Sequence, residues 1–111
     1  MIRSGAAAAL LGAALALGCG PETSGVPVAE LYREHCAGCH GEDGRGHPAR
    51  RRLEPRLDLG RSEILRERSR GLAFQRIAYG YSTMPGFAHK LPQGDIEHLV
   101  AFVEQFAVEA R

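Results

Sequence analysis

The chain has 111 residues, 44% of them apolar and 24% charged, with a formal charge of +1, which is the composition of one ordinary globular domain. Its 14 basic and 13 acidic side chains form no basic stripe interleaved with aromatics, so no nucleic-acid partner is expected. No repeat or heptad pattern appears.

Residues 1–18 carry a single charge, Arg3, and a short apolar run from Ala6 to Leu17. That run is too short to span a bilayer and reads as an export signal. The following "ALGCG" resembles the lipobox of bacterial lipoproteins, with Ala16 standing where that family prefers Leu; the resemblance implies cleavage that leaves Cys19 as the acylated first residue. Residues 19–27 then read as the acylated cysteine and a flexible tether, "GPETSGVP" resisting regular structure. Fully extended, such a segment reaches at most roughly 28 Å, and as a coil about 15 Å. The folded domain, residues 28–111, is therefore expected close to a membrane surface.

Helical spacing in "VAELYREH" predicts a first helix over Val28 to His35 that runs directly into two cysteines. Gly41 to Gly60 holds glycines, prolines and five arginines with no period, and a long loop of that kind in a small domain wraps a site. Ser62 to Arg68 predicts a short helix with Ser62 as N-cap, and Ser69 to Ala78 another, ended by Gly80. Tyr81 to Leu91 is irregular. Ile96, Leu99, Val100, Val103, Phe106 and Ala107 follow helical spacing and predict the longest helix, with Asp95 and Glu97 at its electropositive start. The domain is expected to be all-helical, and a core this thin calls for a staple or a cofactor.

Of the three cysteines, Cys36 and Cys39 are spaced C-x-x-C and followed by His40, the attachment motif of c-type haem. Two thiols three positions apart at a helix end lie on one face, placed to add to the vinyl groups of a porphyrin, and the next residue can present an imidazole to the metal. A zinc site would have to recruit scattered histidines such as His47, His89 or His98. A thioredoxin-like pair would need a βαβ frame that is absent. A disulfide between Cys36 and Cys39 would leave the long loop and the thin core unexplained. Met84, in the irregular "YSTMPGF", is the one methionine besides Met1. It lies off any helical stripe, and a thioether opposite histidine stabilises ferrous iron.

The run from "LYREHCAGCHGEDGRG" through "RGLAFQRIAYGYSTMPGF" to "IEHLVAFVEQF" resembles bacterial class I cytochromes c. The resemblance implies three to five helices around one covalently attached haem, with N- and C-terminal helices crossing where Tyr32 meets Phe102. It assigns His40 and Met84 to the iron and Cys36 and Cys39 to the porphyrin. It further assigns Pro55, with Pro48 as competitor, to the carbonyl that orients the proximal imidazole. Leu57, Phe74, Ile77 and Phe87 match positions that pack on the haem. Two departures stand out: Val28 occupies a place where the family has glycine, and "LPQGDI" lacks the usual Ser or Thr cap.

Between Arg45 and Arg76 there are ten arginines against four acids. Arg50 to Arg52 or Arg56 are candidates for the haem propionates, and the excess favours an acidic docking partner. The function expected is a membrane-tethered, monomeric electron carrier with His/Met ligation and no substrate turnover of its own. It would face the periplasm from the cytoplasmic or outer membrane and exchange electrons with a redox donor and acceptor, a terminal oxidase or reductase among them. The alternatives are a haem sensor or peroxidase-like enzyme in which Met84 leaves the iron, with His89 as acid-base candidate, and a fixed subunit of a larger respiratory complex.

Overall fold

The computed structural model describes residues 20–109, apart from the side chain of Glu109. The expected signal and acylated Cys19 lie outside the described residues. Among the described residues five α-helical segments follow one another: α1 (Val28–His35), α2 (Ala37–His40), α3 (Glu63–Arg66), α4 (Arg70–Tyr79) and α5 (Gln93–Glu109), with two 3₁₀ turns at Pro55–Leu57 and Leu59–Arg61. Among the described residues the only bridge is an isolated one between Tyr81 and Met84, and no helix is long and apolar enough to cross a membrane.

The elements form for local reasons. α1 starts on the Pro27 carbonyl, which accepts the amides of Glu30 and Leu31 at 2.9 and 3.1 Å. α3 is capped as its sequence predicts, Ser62 Oγ accepting the Leu65 amide at 3.3 Å, and it stops sooner than predicted, at Arg66. Gly80, at φ +84°, ends α4. Along α5, Ile96, Leu99, Val100, Val103, Phe106 and Ala107 are all buried. Burying each of the larger ones contributes about 1.5–3 kcal/mol, and α5 is the hub against which α1, α3 and α4 pack.

The crossing of α1 and α5 is built on rings. Tyr32 packs against both Phe102 and Phe106, with centroids 5.2 and 5.3 Å away. Its hydroxyl donates to the Gly41 carbonyl at 2.6 Å, so the crossing also holds the chain just after α2. Burial pushes the Tyr32 phenol well above its ordinary range, keeping it a neutral donor. Gly44 closes the corner: it has φ +76°, and a Cβ there would lie 2.3 Å from the Phe106 ring. Only glycine meets both conditions. Val28 is accommodated as the first, half-buried residue of α1.

Two residues of the segment read as a flexible tether, Glu22 and Ser24, bond to the start of α5: the Glu22 carbonyl accepts the Gly94 amide at 2.8 Å. Asp95 Oδ1 accepts the Ser24 amide at 3.0 Å, and Ser24 Oγ accepts that of Val26 at 3.1 Å. The physical reason is the start of α5, which has no Ser or Thr cap of its own and leaves amides to be satisfied. The Glu22 carbonyl supplies one missing acceptor from outside the helix.

Candidate functional site

The junction of α1 and α2, the two 3₁₀ turns, α3, α4 and the loop after it enclose a cleft of about 260 Å³. Cys36 lies at the break between α1 and α2, its amide donating to the Tyr32 carbonyl at 2.8 Å and its carbonyl accepting the His40 amide at 2.9 Å. That single continued turn brings Cys36, Cys39 and His40 onto the same wall. No disulfide joins the two cysteines. Cys36 is buried, which, with the nearby Cys39, raises its thiol to about 11; Cys39 accepts from Arg50 Nη1 at 3.1 Å.

His40 is oriented by the backbone. Its Nδ1 lies 2.8 Å from the Leu57 carbonyl oxygen, which can only accept, so Nδ1 carries the proton and Nε2 keeps its lone pair. Burial lowers the pKa of the ring, against the opposing pull of the Leu57 bond. A neutral imidazole with a held ring and an open Nε2 is a metal ligand in waiting.

Also lining the cleft, Met84 ends a tight turn in which Tyr81 and Met84 exchange backbone hydrogen bonds of 3.1 and 2.9 Å, with Ser82 at φ +57°. The next residues lie flat on the end of α4. Phe87 and Ala88 donate to the carbonyls of Ile77 and Ala78, both at 2.9 Å, and a Cβ on Gly86 would sit 2.6 Å from the backbone of Tyr79. The half-buried Met84 is thereby fixed on the wall.

The cleft gathers seven of the sequence-predicted residues: Cys36, Cys39, His40, Leu57, Ile77, Met84 and Phe87. Two assignments are corrected. Pro55 is exposed, off the cleft, and its carbonyl accepts the Asp58 amide at 3.1 Å. The carbonyl on His40 belongs to Leu57, two residues later, and Pro48 takes no part in orienting it. Phe74 packs half-buried against the core and is absent from the cleft, because on α4 the inward positions are Ala73 and Ile77, four apart. His89 is exposed and off the wall, which leaves it no acid-base role at the cleft.

Sequence reasoning missed His35, Leu59, Arg76 and Tyr81, all on the wall. His35 packs against Phe87 with the rings tilted and their centroids 5.4 Å apart, and Arg76 covers the Tyr81 ring at 3.8 Å. Of the arginines proposed for propionates, Arg56 alone is on the wall. Its guanidinium forks onto Glu54 with two bonds of 3.0 Å, and the Arg56 hydrogen bonds hold the Glu54 carboxyl down at about 2.

Free thiols, an open imidazole nitrogen, apolar walls and cationic rim groups form a donor set that fits a covalently attached haem, and helices crossing over such a cleft define a c-type cytochrome. The family model described as cytochrome c oxidase, cbb3-type, subunit III matches residues 26–103, and the chain belongs to that family. Among solved structures, the KustC0563 c-type cytochrome is 28% identical, with a TM-score of 0.62 over 73% of this chain and 98% of that one. No curated protein matches the chain. The all-α class I cytochrome c fold, the haem c cofactor and a role in electron transfer follow from the family, as does export of the protein.

Proposed function

We propose that the protein is a monohaem electron carrier in which Cys36 and Cys39 hold the porphyrin, His40 Nε2 binds the iron from one side and Met84 from the other. Leu57, Ile77 and Phe87 pack on the macrocycle. When bound, the haem supplies a one-electron ferric/ferrous couple. The chain itself fixes the imidazole, excludes water with apolar walls and carries out no substrate turnover. The observation that carries this reading is that one cleft brings both thiols, the open face of His40 and the Met84 side chain together. The lipobox resemblance supports a lipid on Cys19 that holds a monomer at the periplasmic face of the cytoplasmic or outer membrane. Docking of Glu22 onto α5 leaves little free chain between that lipid and the domain.

Met84→Ala in the holoprotein tests the ligation. The ferric sulfur-to-iron band at the red end of the visible spectrum is expected to vanish, the midpoint potential to fall, and the ferrous form to bind carbon monoxide. An unchanged spectrum and continued inertness to carbon monoxide would move the sixth ligand elsewhere.

A second reading, a subunit held in a larger respiratory complex, is favoured by the description of the matching family, an oxidase subunit. Solubilised membranes separate the two: a carrier runs alone on size exclusion, a subunit migrates with partner chains.

A further inference from the structure

Residues 20–26 lie on the molecule without joining its packing: all are exposed, and none belongs to the core. What holds them is hydrogen bonding through the backbone. The Glu22 carbonyl accepts the Gly94 amide at 2.8 Å, and Asp95 Oδ1 accepts the Ser24 amide at 3.0 Å. A turn closes behind these two bonds, Gly25 taking φ +83° while Ser24 Oγ accepts the Val26 amide. At Pro27 the hold becomes firm, because its carbonyl accepts the amides of Glu30 and Leu31 in α1.

Both partners on α5 are shaped by this contact. A Cβ on Gly94 would lie 2.5 Å from the Glu22 carbonyl oxygen, 2.6 Å from the Thr23 methyl group and 3.0 Å from the Pro21 carbonyl oxygen. The segment thus keeps a poor helix former in the first turn of α5. Asp95 is 1% exposed, yet among the described residues its Oδ2 has no hydrogen-bond partner. A buried carboxylate oxygen without a donor is costly, and departure of Ser24 would open the group to water. Two bonds to α5, with no buried apolar side chain, therefore stand against that cost and against the entropy of ordering five residues. A segment so held opens locally while the rest of the domain stays folded.

Resting on the reading of Cys19 as the lipid-bearing residue, we propose that residues 22–26 are a releasable strap, latched on Gly94 and Asp95, which gives the domain two distances from its anchor. Latched, the first fixed point after Cys19 is Glu22, and the chain between them spans at most about 10 Å. Released, the first fixed point is Pro27, and the span rises to about 28 Å. The latched form keeps the domain against the membrane, and the released form lets it turn and reach a partner farther out. No residue of the strap lines the haem cleft, so the switch changes reach and leaves the iron site alone.

The test uses the mature, acylated holoprotein on vesicles of phosphatidylethanolamine and phosphatidylglycerol that carry a headgroup fluorophore, which the haem quenches at short range. Two variants weaken the latch by different routes. Gly94→Ala pushes a methyl group into the strap, and Gly25→Ala puts a side chain on a left-handed residue that only the latched form requires. Gly71→Ala, whose methyl group meets nothing within 4 Å, is the control. In the parent the Ser24 amide is expected to be protected from hydrogen exchange, but far less than the amide of Leu99 in the core. Gly25→Ala should lower that protection about five- to thirtyfold, and Gly94→Ala at least as far. Both should weaken the quenching at an unchanged midpoint potential, while Gly71→Ala matches the parent. Protection that is absent in the parent, survives Gly94→Ala or equals that of Leu99 would overturn the proposal, and so would quenching that stays at the parent value when protection is lost. Loss of protection in a chain that never associates with vesicles would keep the latch and defeat the lipid reading of Cys19 instead.

Discussion

The α1/α5 crossing and the haem cleft lie on either side of Tyr32, and they are held together by different parts of the chain. At the crossing the contacts are side chain on side chain, Tyr32 against Phe102 and Phe106, and they recur at helical spacing. In the cleft the groups that position the site are backbone: the Leu57 carbonyl on His40, and the Ile77 and Ala78 carbonyls under the Met84 loop. Side chains write a period into a sequence, whereas a carbonyl can come from any residue. The first region therefore shows in the sequence as a pattern, and the second only as its endpoints, the cysteines, the histidine and the methionine.

Gly44 joins the two regions and offers the largest effect. Gly44→Ala places a Cβ 2.3 Å from the Phe106 ring at φ +76°, adding steric overlap to a left-handed backbone. A loss of about 3 kcal/mol is expected, measured by urea unfolding of the holoprotein. Phe106→Leu on its own creates a smaller loss, and combining the two should cost less than their sum, because the smaller side chain vacates the space the methyl group needs. Strict additivity would mean that the corner is held by backbone conformation alone.

Much of this division was legible beforehand. The stripe from Ile96 to Ala107 announced α5 and its buried face, Ser62 announced the start of α3, and the C-x-x-C-H and Met84 endpoints fall on one cleft. Pro55 misled because proline is conspicuous and a carbonyl is not: the acceptor is Leu57. Phe74 misled because a large ring looks like packing material, yet one residue along a helix is a rotation of about 100°, and the cleft takes Ala73 instead. The docking of residues 22–26 was invisible for a related reason. "PETSGV" has the composition of a free linker, and what it binds is one uncapped amide, that of Gly94, and one carboxylate, that of Asp95, at the start of α5.

Tyr32→Phe sharpens the boundary from the other side. It keeps the ring contacts of the crossing and removes the hydroxyl that reaches Gly41, leaving that carbonyl the Gly44 amide at 3.2 Å as its remaining partner. About 0.5–1.5 kcal/mol should be lost, seen as a lower melting temperature with the haem content unchanged. Tyr32→Leu should cost more, since it removes the ring as well. If Phe and Leu were equally damaging, the hydroxyl would be the whole of Tyr32's contribution and the ring packing would add nothing.

The smallest effect belongs to the rim of the cleft. The Arg56 fork lowers the Glu54 carboxyl from 4.5 to about 2, so the unfolded chain binds this proton more readily than the folded one. The contribution is fully present above about pH 4.5 and fades as the pH falls toward 2. Because the pair is solvent-exposed and screened, Glu54→Gln should leave the melting temperature at neutral pH unchanged within error. Its one signature should be a shallower fall of melting temperature with acid between those two pH values. A fall as steep as in the parent would show that the pair is not formed in solution, freeing the Arg56 guanidinium for another anion at the mouth of the cleft.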